Sequence, residues 1–278
     1  MSKKFFLSFL LFFVVAIPLV FIISDMVTSK KVVKKERTIE KKVKTYRYRK
    51  YPHVKSFYQD ITEGAIKIAI KYNIPPAALL AIAGVESGYG RGYVAHITGN
   101  ILSLGAKSNE AELPALNLPN LKKDSSVVLY GDLINKYGED ELEWKLRAKS
   151  LKKDYRPKDF AGTNRELDYL DKHSKEKKKA NLKCIEDFAK IWISRSKKFK
   201  PFVDAREMLD NQVKLNSKKI LFDRDLNIKF IYMISGKENS FNYRKTWAPK
   251  VVKIMDNVGL IDLTKAIYEE DKTFDEVW

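Results

Sequence analysis

The strongest pattern in the chain is an apolar run from Phe5 to Ile23, 19 residues in which only Ser8 is polar. That length suffices to cross a bilayer core as a helix, and Pro18 is tolerable there when neighbouring groups re-satisfy the backbone. A cleaved signal peptide has an apolar region of about 7–15 residues and a small-residue cleavage site. Here the run passes into Ile22-Ile23-Ser24-Asp25-Met26 with no Ala-x-Ala, so an uncleaved anchor is expected. The layout predicted is a tail over 1–4, a transmembrane anchor over 5–24, a basic stalk over 25–52 and one domain over 53–278.

Within that domain the apolar positions recur at helical spacing. Ile61, Ala65, Ile68 and Ala69 predict a helix over Tyr58–Tyr72, with Lys67 and Lys71 on its polar side. Asn73-Ile74-Pro75-Pro76 ends it, and proline suits the opening of the next helix. Ala77 to Val85 has no polar face, which predicts a helix enclosed nearly all round. Helices are also predicted over Ser125–Tyr137, Leu182–Ile193, Phe202–Leu215, Leu226–Ser235, Thr246–Asn257 and Ile261–Glu270. Residues 140–181 are charge-rich and weakly patterned. No βαβ periodicity occurs, so the fold class expected is all-α or mainly α (α+β).

Charge changes the picture only in one place. The 278 residues carry 53 Lys+Arg against 35 Asp+Glu, a formal +18, yet residues 1–50 alone hold 13 basic and 3 acidic side chains. The excess is concentrated on the N-terminal arm, and the body lacks the dense basic stripe of a nucleic-acid surface; no nucleic-acid partner is expected. Cys184 is the single cysteine, and His53, His96 and His173 are far apart. Neither an intramolecular disulfide nor a metal site is expected. Cys184 sits on an amphipathic stretch and reads as a core thiol. Gly88-Tyr89-Gly90-Arg91-Gly92 closes a helix instead of opening one after a strand, so it is not a dinucleotide loop.

Glu86 stands at the end of the apolar helix, followed by Ser87-Gly88-Tyr89-Gly90. A carboxyl group at such a position loses hydration, which favours its protonated form and suits a general acid. A solvated helix-end glutamate is the plainer reading of the same residue.

Ala81-Ile82-Ala83-Gly84-Val85-Glu86-Ser87-Gly88-Tyr89-Gly90 resembles the active-site helix of the bacterial glucosaminidase-domain family, and the spans Phe188–Leu209 and Tyr243–Leu260 most resemble its membrane-associated branch. The resemblance implies a lysozyme-like, mainly helical fold and hydrolysis of β-1,4 bonds beside N-acetylglucosamine in peptidoglycan, with no cofactor. It implies Glu86 as the general acid, with Ser87 and Tyr89 at the substrate. Asn100-Ile101-Leu102-Ser103-Leu104 is similar to the family's Asn-Leu-Phe-Gly-Ile segment lining the cleft, with Leu102 for the aromatic and Ser103 for the glycine. This adds Asn100 as a substrate contact. Asn242-Tyr243-Arg244-Lys245-Thr246-Trp247 resembles the late tyrosine motif, which would place Tyr243 near the scissile bond and Trp247 on a sugar face; core packing is the plainer role for both.

Residues 110–180 match poorly, and there the family often carries a second carboxylate. Glu112 ranks first, ahead of Glu110 and Asp124. An inverting hydrolase would set it roughly 6.5–9.5 Å from Glu86. Without it, the 2-acetamido group or an intramolecular attack of the lytic transglycosylase kind remains open, as does an inactive wall-binding module. The 11 basic residues between Lys30 and Lys50 argue for a cytoplasmic flank by the positive-inside rule. The extracellular substrate argues the opposite. The expectation adopted is a single-pass protein of the cytoplasmic membrane with its domain outside, its partners the glycan strands and, through the N-terminal helix, the membrane.

Overall fold

Prolines open the first two helices, α1 (Pro52–Lys71) and α2 (Pro76–Ser87). At the first turn the missing N–H removes no intrahelical bond and the fixed φ is already helical. The computed structural model describes residues 45–105, 117–128, 130–146, 169–194 and 197–278. Over these the protein is mainly helical, as expected. Every residue of α2 from Pro76 to Gly84 is buried. α1 lies along one side of it, and α8 (Arg224–Met233), α9 (Trp247–Val258) and α10 (Leu260–Glu269) enclose the rest.

Buried polar groups in this bundle are spent on fixing its ends. Asn227 of α8, fully buried, accepts a bond from the Ala78 amide at 2.8 Å and donates to the carbonyls of Leu221 and Asp223. It thereby caps the first turn of α2, whose amides have no intrahelical partners. Gly84 lets α1 and α2 approach: a Cβ there would lie 2.5 Å from the Tyr58 hydroxyl.

Two predicted elements differ. The Leu182–Ile193 stretch belongs to α6 (Ser174–Asp187), which widens into a π-helix over Phe188–Ser194. Cys184 is fully buried in the core, as expected. Ser125–Tyr137 is not one helix. Only α4 (Gly131–Ile134) is helical there, because a tight turn precedes it: the Ser125 amide donates to Leu121, the Leu121 amide to Ser126, and Ser125 has φ 56°. The flanking residues form a hairpin of β1 (Asn117–Leu121) and β2 (Leu142–Leu146), antiparallel with Leu121 opposite Leu142. Val128 and Ile134 of this segment join Leu121 and Leu142 against Tyr93 and Ile97 of α3 (Tyr93–Thr98).

The stalk also ends earlier than the sequence indicates. Tyr46–Trp278 forms a compact unit, so residues 46–51 belong to the body. Arg49 makes the attachment. Its guanidinium donates to the carbonyls of Val258 at 2.9 Å, Gly259 at 3.3 Å, Trp278 at 3.3 Å and also Val277. It lies against the rings of Tyr46 and Trp278, while the Tyr46 hydroxyl donates to Asp262. Among the described residues no helix is long and apolar enough to cross a membrane. The predicted span Phe5–Ile23, most of the stalk, Glu110 and Glu112 lie outside the described residues.

Arg49→Ala leaves the acceptor oxygens of Val258 and Gly259, at the end of α9, and of Val277 and Trp278 without this donor. A cost of about 2 kcal/mol is expected for a charge-assisted cluster of this kind, a drop of roughly 4–8 °C in melting temperature for a domain of this size. Thermal melts followed by circular dichroism check it. Arg49→Lys should recover little, since an ammonium cannot span the same fork of acceptors.

Candidate functional site

The C-terminal end of α2 is where the buried helix meets solvent, and the backbone there turns sharply. Gly88, Tyr89 and Gly90 all have positive φ (56°, 59° and 75°). Glycine suits the first and third positions. At Gly88 there is a second requirement, because a Cβ would lie 2.9 Å from the Tyr130 ring that covers it. Ser87 is buried and stitches the turn, its hydroxyl donating to Ala83 O at 2.6 Å and accepting from the Gly90 amide at 2.8 Å.

Glu86, one residue earlier, is half-buried and held from across the fold. The Trp247 indole Nε1 donates to its Oε1 at 2.7 Å. Trp247 is 4% exposed, so it offers no face for a sugar to stack on; its role is to orient the carboxyl group. The indole is itself supported by Phe241, 5.4 Å between ring centres, and Phe241 by Phe188 of the π-helix at 5.3 Å. The indole bond therefore fixes the direction of the carboxyl group through Oε1.

The remaining predicted site residues fall into two groups. Asn100 is 1% exposed and shapes its own loop. Its Nδ2 donates to Leu104 O and its Oδ1 accepts from the Leu104 amide, both at 2.9 Å, and from the Cys184 thiol at 3.4 Å. It is a structural tie and not a surface for substrate, and Ser87 is likewise turned inward. The loop that Asn100 forms does reach the site: Ser103, at φ 51°, makes a long 3.4 Å contact from its hydroxyl to Glu86 O. Tyr243 stands four residues before Trp247 on the same connection, 70% exposed, with Arg244 against its ring at 5.8 Å. Asp124 is exposed at the hairpin turn and accepts from the Ser126 amide and hydroxyl, bonds that hold its carboxyl below the usual range.

Tyr89 turns back over the helices, edge-on to Phe57, Tyr58 and His53. Burial, then the neighbouring Tyr48, pushes its hydroxyl up to about 12; burial raises that of Tyr58 further. Sequence reasoning missed Tyr130 over the glycine turn and the Trp247 bond to Glu86. Both depend on contacts between distant segments, and only the clustering of Gly88, Gly90 and Gly92 hinted that something bulky comes close. Among the described residues no group of three or more His, Cys, Asp or Glu side chains is placed to hold a metal. Comparison of the chain with protein-family models, with curated proteins and with solved structures finds no match in any of the three.

The tyrosines give the domain a defined alkaline limit. Unfolded tyrosine ionises near about 10, whereas Tyr46 and Tyr89 are raised to about 12 and Tyr58 well above its ordinary value. Between these values the unfolded chain binds fewer protons than the folded one, so stability is complete below pH 10 and falls as pH rises. Urea midpoints measured from pH 8 to 12 should hold steady and then drop. Tyr89→Phe should flatten the drop; an unchanged slope would show that Tyr89 does not carry it.

Proposed function

We propose that the protein is a membrane-anchored glycosidase of peptidoglycan, with a lysozyme-like domain that cleaves β-1,4 bonds beside N-acetylglucosamine and uses Glu86 as general acid. The observation that carries this reading is the carboxyl group of Glu86, set at the exit of an all-apolar helix and aimed by a buried indole. A group that donates a proton in a transition state must be fixed in direction as well as in charge. The Trp247 bond supplies the direction. Partial burial at the helix end removes part of the water that would otherwise compete for the carboxyl group.

A second observation supports the reading. Ser103 occupies the place of a glycine in the segment that this chain resembles, and its φ of 51° lies in the region that glycine favours. The loop keeps a glycine-like backbone without the glycine and remains against Glu86. Leu102, in place of the aromatic, is fully buried, so the change is absorbed in the core.

In the reaction so described, the Glu86 carboxyl group protonates the glycosidic oxygen as the bond to the anomeric carbon breaks. Positive charge then develops on the ring, and the sugar is captured by water or by an intramolecular nucleophile. Tyr243 and Glu112 are assigned to the same cleft, Tyr243 as a hydroxyl near the scissile sugar and Glu112 as the second carboxylate. Tyr89 walls the glycine turn. The anchor over Phe5–Ile23 would hold the domain on the outer side of the cytoplasmic membrane, beside its substrate.

Glu86→Gln keeps shape and hydrogen bonding but carries no transferable proton; turnover of purified peptidoglycan should fall by about 10²–10⁴ while the protein melts normally. Trp247→Phe should lower kcat about tenfold, the worth of one bond to a charged group, and leave KM unchanged; an intact kcat in the folded variant would show that the indole does not aim the carboxyl group. Reducing N-acetylglucosamine ends in the digest mark a glucosaminidase, and anhydromuramic ends a lytic transglycosylase. Near-wild-type cleavage by Glu86→Gln removes the mechanism. For topology, protease added to intact spheroplasts should degrade the domain, and complete protection with the membrane intact would refute an outward orientation.

A further inference from the structure

Beside the turn that carries Glu86 lies a pocket of ≈ 350 Å³ lined by Tyr48, Tyr51, His53, Val54, Tyr89 and Ile254. Its aromatic side chains form a continuous arc. Ring centres are 6.1 Å apart for Tyr48 and Tyr51, 5.9 Å for Tyr51 and His53, and 5.8 Å for His53 and Tyr89. Three of the four are tyrosines, so the arc pairs flat apolar faces with hydroxyl tips, and the imidazole adds a further polar edge. The volume is within the range of small-molecule sites.

The chemistry of this wall selects among ligands. An aliphatic chain would leave the hydroxyl and imidazole edges unused. A cation is disfavoured, because Arg47 already lies 5.9 Å from the centre of the Tyr48 ring and the Lys50 ammonium 5.2 Å from that of Tyr51. A pyranose fits both features, since it presents a flat C–H face to an aromatic ring and hydroxyls around its rim. The two cations at the edge favour a sugar strand that carries carboxylates.

The position of the pocket links it to the candidate site. Tyr89 belongs to the same turn as Glu86. On the opposite side, Ile254 and Trp247 are seven residues apart on α9, two turns or roughly 11 Å along one face. A strand lying along α9 would therefore reach from the pocket to the carboxyl group that Trp247 orients.

We propose that this pocket is a distal binding site for an acidic N-acetylated amino-sugar strand, formed where residues 48–54 of the body pack beside Tyr89 and Ile254. The proposal rests on the reading of Glu86 as part of a peptidoglycan-cleaving site, and it adds a site that holds the strand away from the bond being cut. The occupant is one strand spanning both places; a lipid headgroup at the same pocket is the competing occupant that the test separates.

The test uses the full chain in detergent with Glu86→Gln, so that the strand is not consumed. Calorimetric titration with a peptide-free tetrasaccharide of alternating N-acetylglucosamine and N-acetylmuramic acid should give saturable binding. That binding should be tighter than for chitotetraose at low salt, and the gap should close as salt screens the rim cations. Adding Tyr51→Ala and His53→Ala, both on exposed residues, should weaken the tetrasaccharide about tenfold, whereas Tyr51→Phe, which keeps the ring, should hold most of the affinity. Circular dichroism melts establish that each variant is folded. Unchanged tetrasaccharide affinity in the folded double variant overturns the proposal, as does a loss confined to binding of phosphatidylglycerol vesicles. Either result leaves the assignment of Glu86 standing, because that assignment is read from wall cleavage by otherwise wild-type protein. Conversely, persistent wall cleavage by Glu86→Gln would remove the catalytic reading without touching the binding comparison.

Discussion

The fold depends on one constraint: a helix with no polar face has to be enclosed until it reaches Glu86. Burying the side chains of Leu79, Leu80 and Ile82 fully is worth on the order of 1.5–3 kcal/mol each, and it is realised only when α1, α8, α9 and α10 all close around them. The same enclosure creates the polar problem at each end. At the start, the orphan amide of Ala78 is met by Asn227. At the finish, three consecutive left-handed residues turn the chain out of the core. The candidate site is thus a product of how a buried helix is terminated.

That origin explains why the side chains around Glu86 come from so far apart. Trp247 is 161 residues away in sequence, and it reaches Glu86 because α9 packs on α2 along its length. An indole is suited to the task. Its large apolar body completes the core, and its single N–H donates to a carboxyl group at the core's edge. The Phe188–Phe241–Trp247 stack then ties the direction of the carboxyl group to the π-helix. Widening of α6 at Phe188 is consistent with the tendency of such irregular turns to accompany functional sites, and here it places a ring that the stack uses.

Much of this was legible in the sequence. The run Ala77–Val85 contains no charge, and its enclosure followed directly from that. Four helices after residue 200 lie within a few residues of their predicted bounds, the short turns Lys218–Phe222 and Phe274–Val277 being too brief to show a period. What failed was local chemistry overridden by turns. A helix is predicted over Ser125–Tyr137, but the Leu121–Ser126 turn makes the segment part of a hairpin lobe in which Val128 and Ile134 pack on α3. The stalk boundary failed for a different reason. Tyr46-Arg47-Tyr48-Arg49-Lys50-Tyr51 reads as solvated by charge alone, yet Arg49 finds carbonyls near the ends of α9 and of the chain, acceptors that no local pattern reveals.

Asn100 shows how a buried amide is taken up by the loop that carries it. Its position in a motif suggested a contact with substrate, whereas both ends of its amide are bonded to Leu104. Satisfying a buried amide internally is what a rigid loop requires. An Asn exposed to a sugar would have to exchange those bonds on every binding event, with a buried donor and acceptor left unpaired in between. The loop is better served by a fixed Asn100 that presents Ser103 to the Glu86 backbone. The same division holds around Glu86: Ser87, Asn100 and Trp247 are buried, while Tyr243 is exposed and Tyr89 half-buried. The direction of the Glu86 carboxyl group is therefore set from the core, by a side chain that solvent barely reaches.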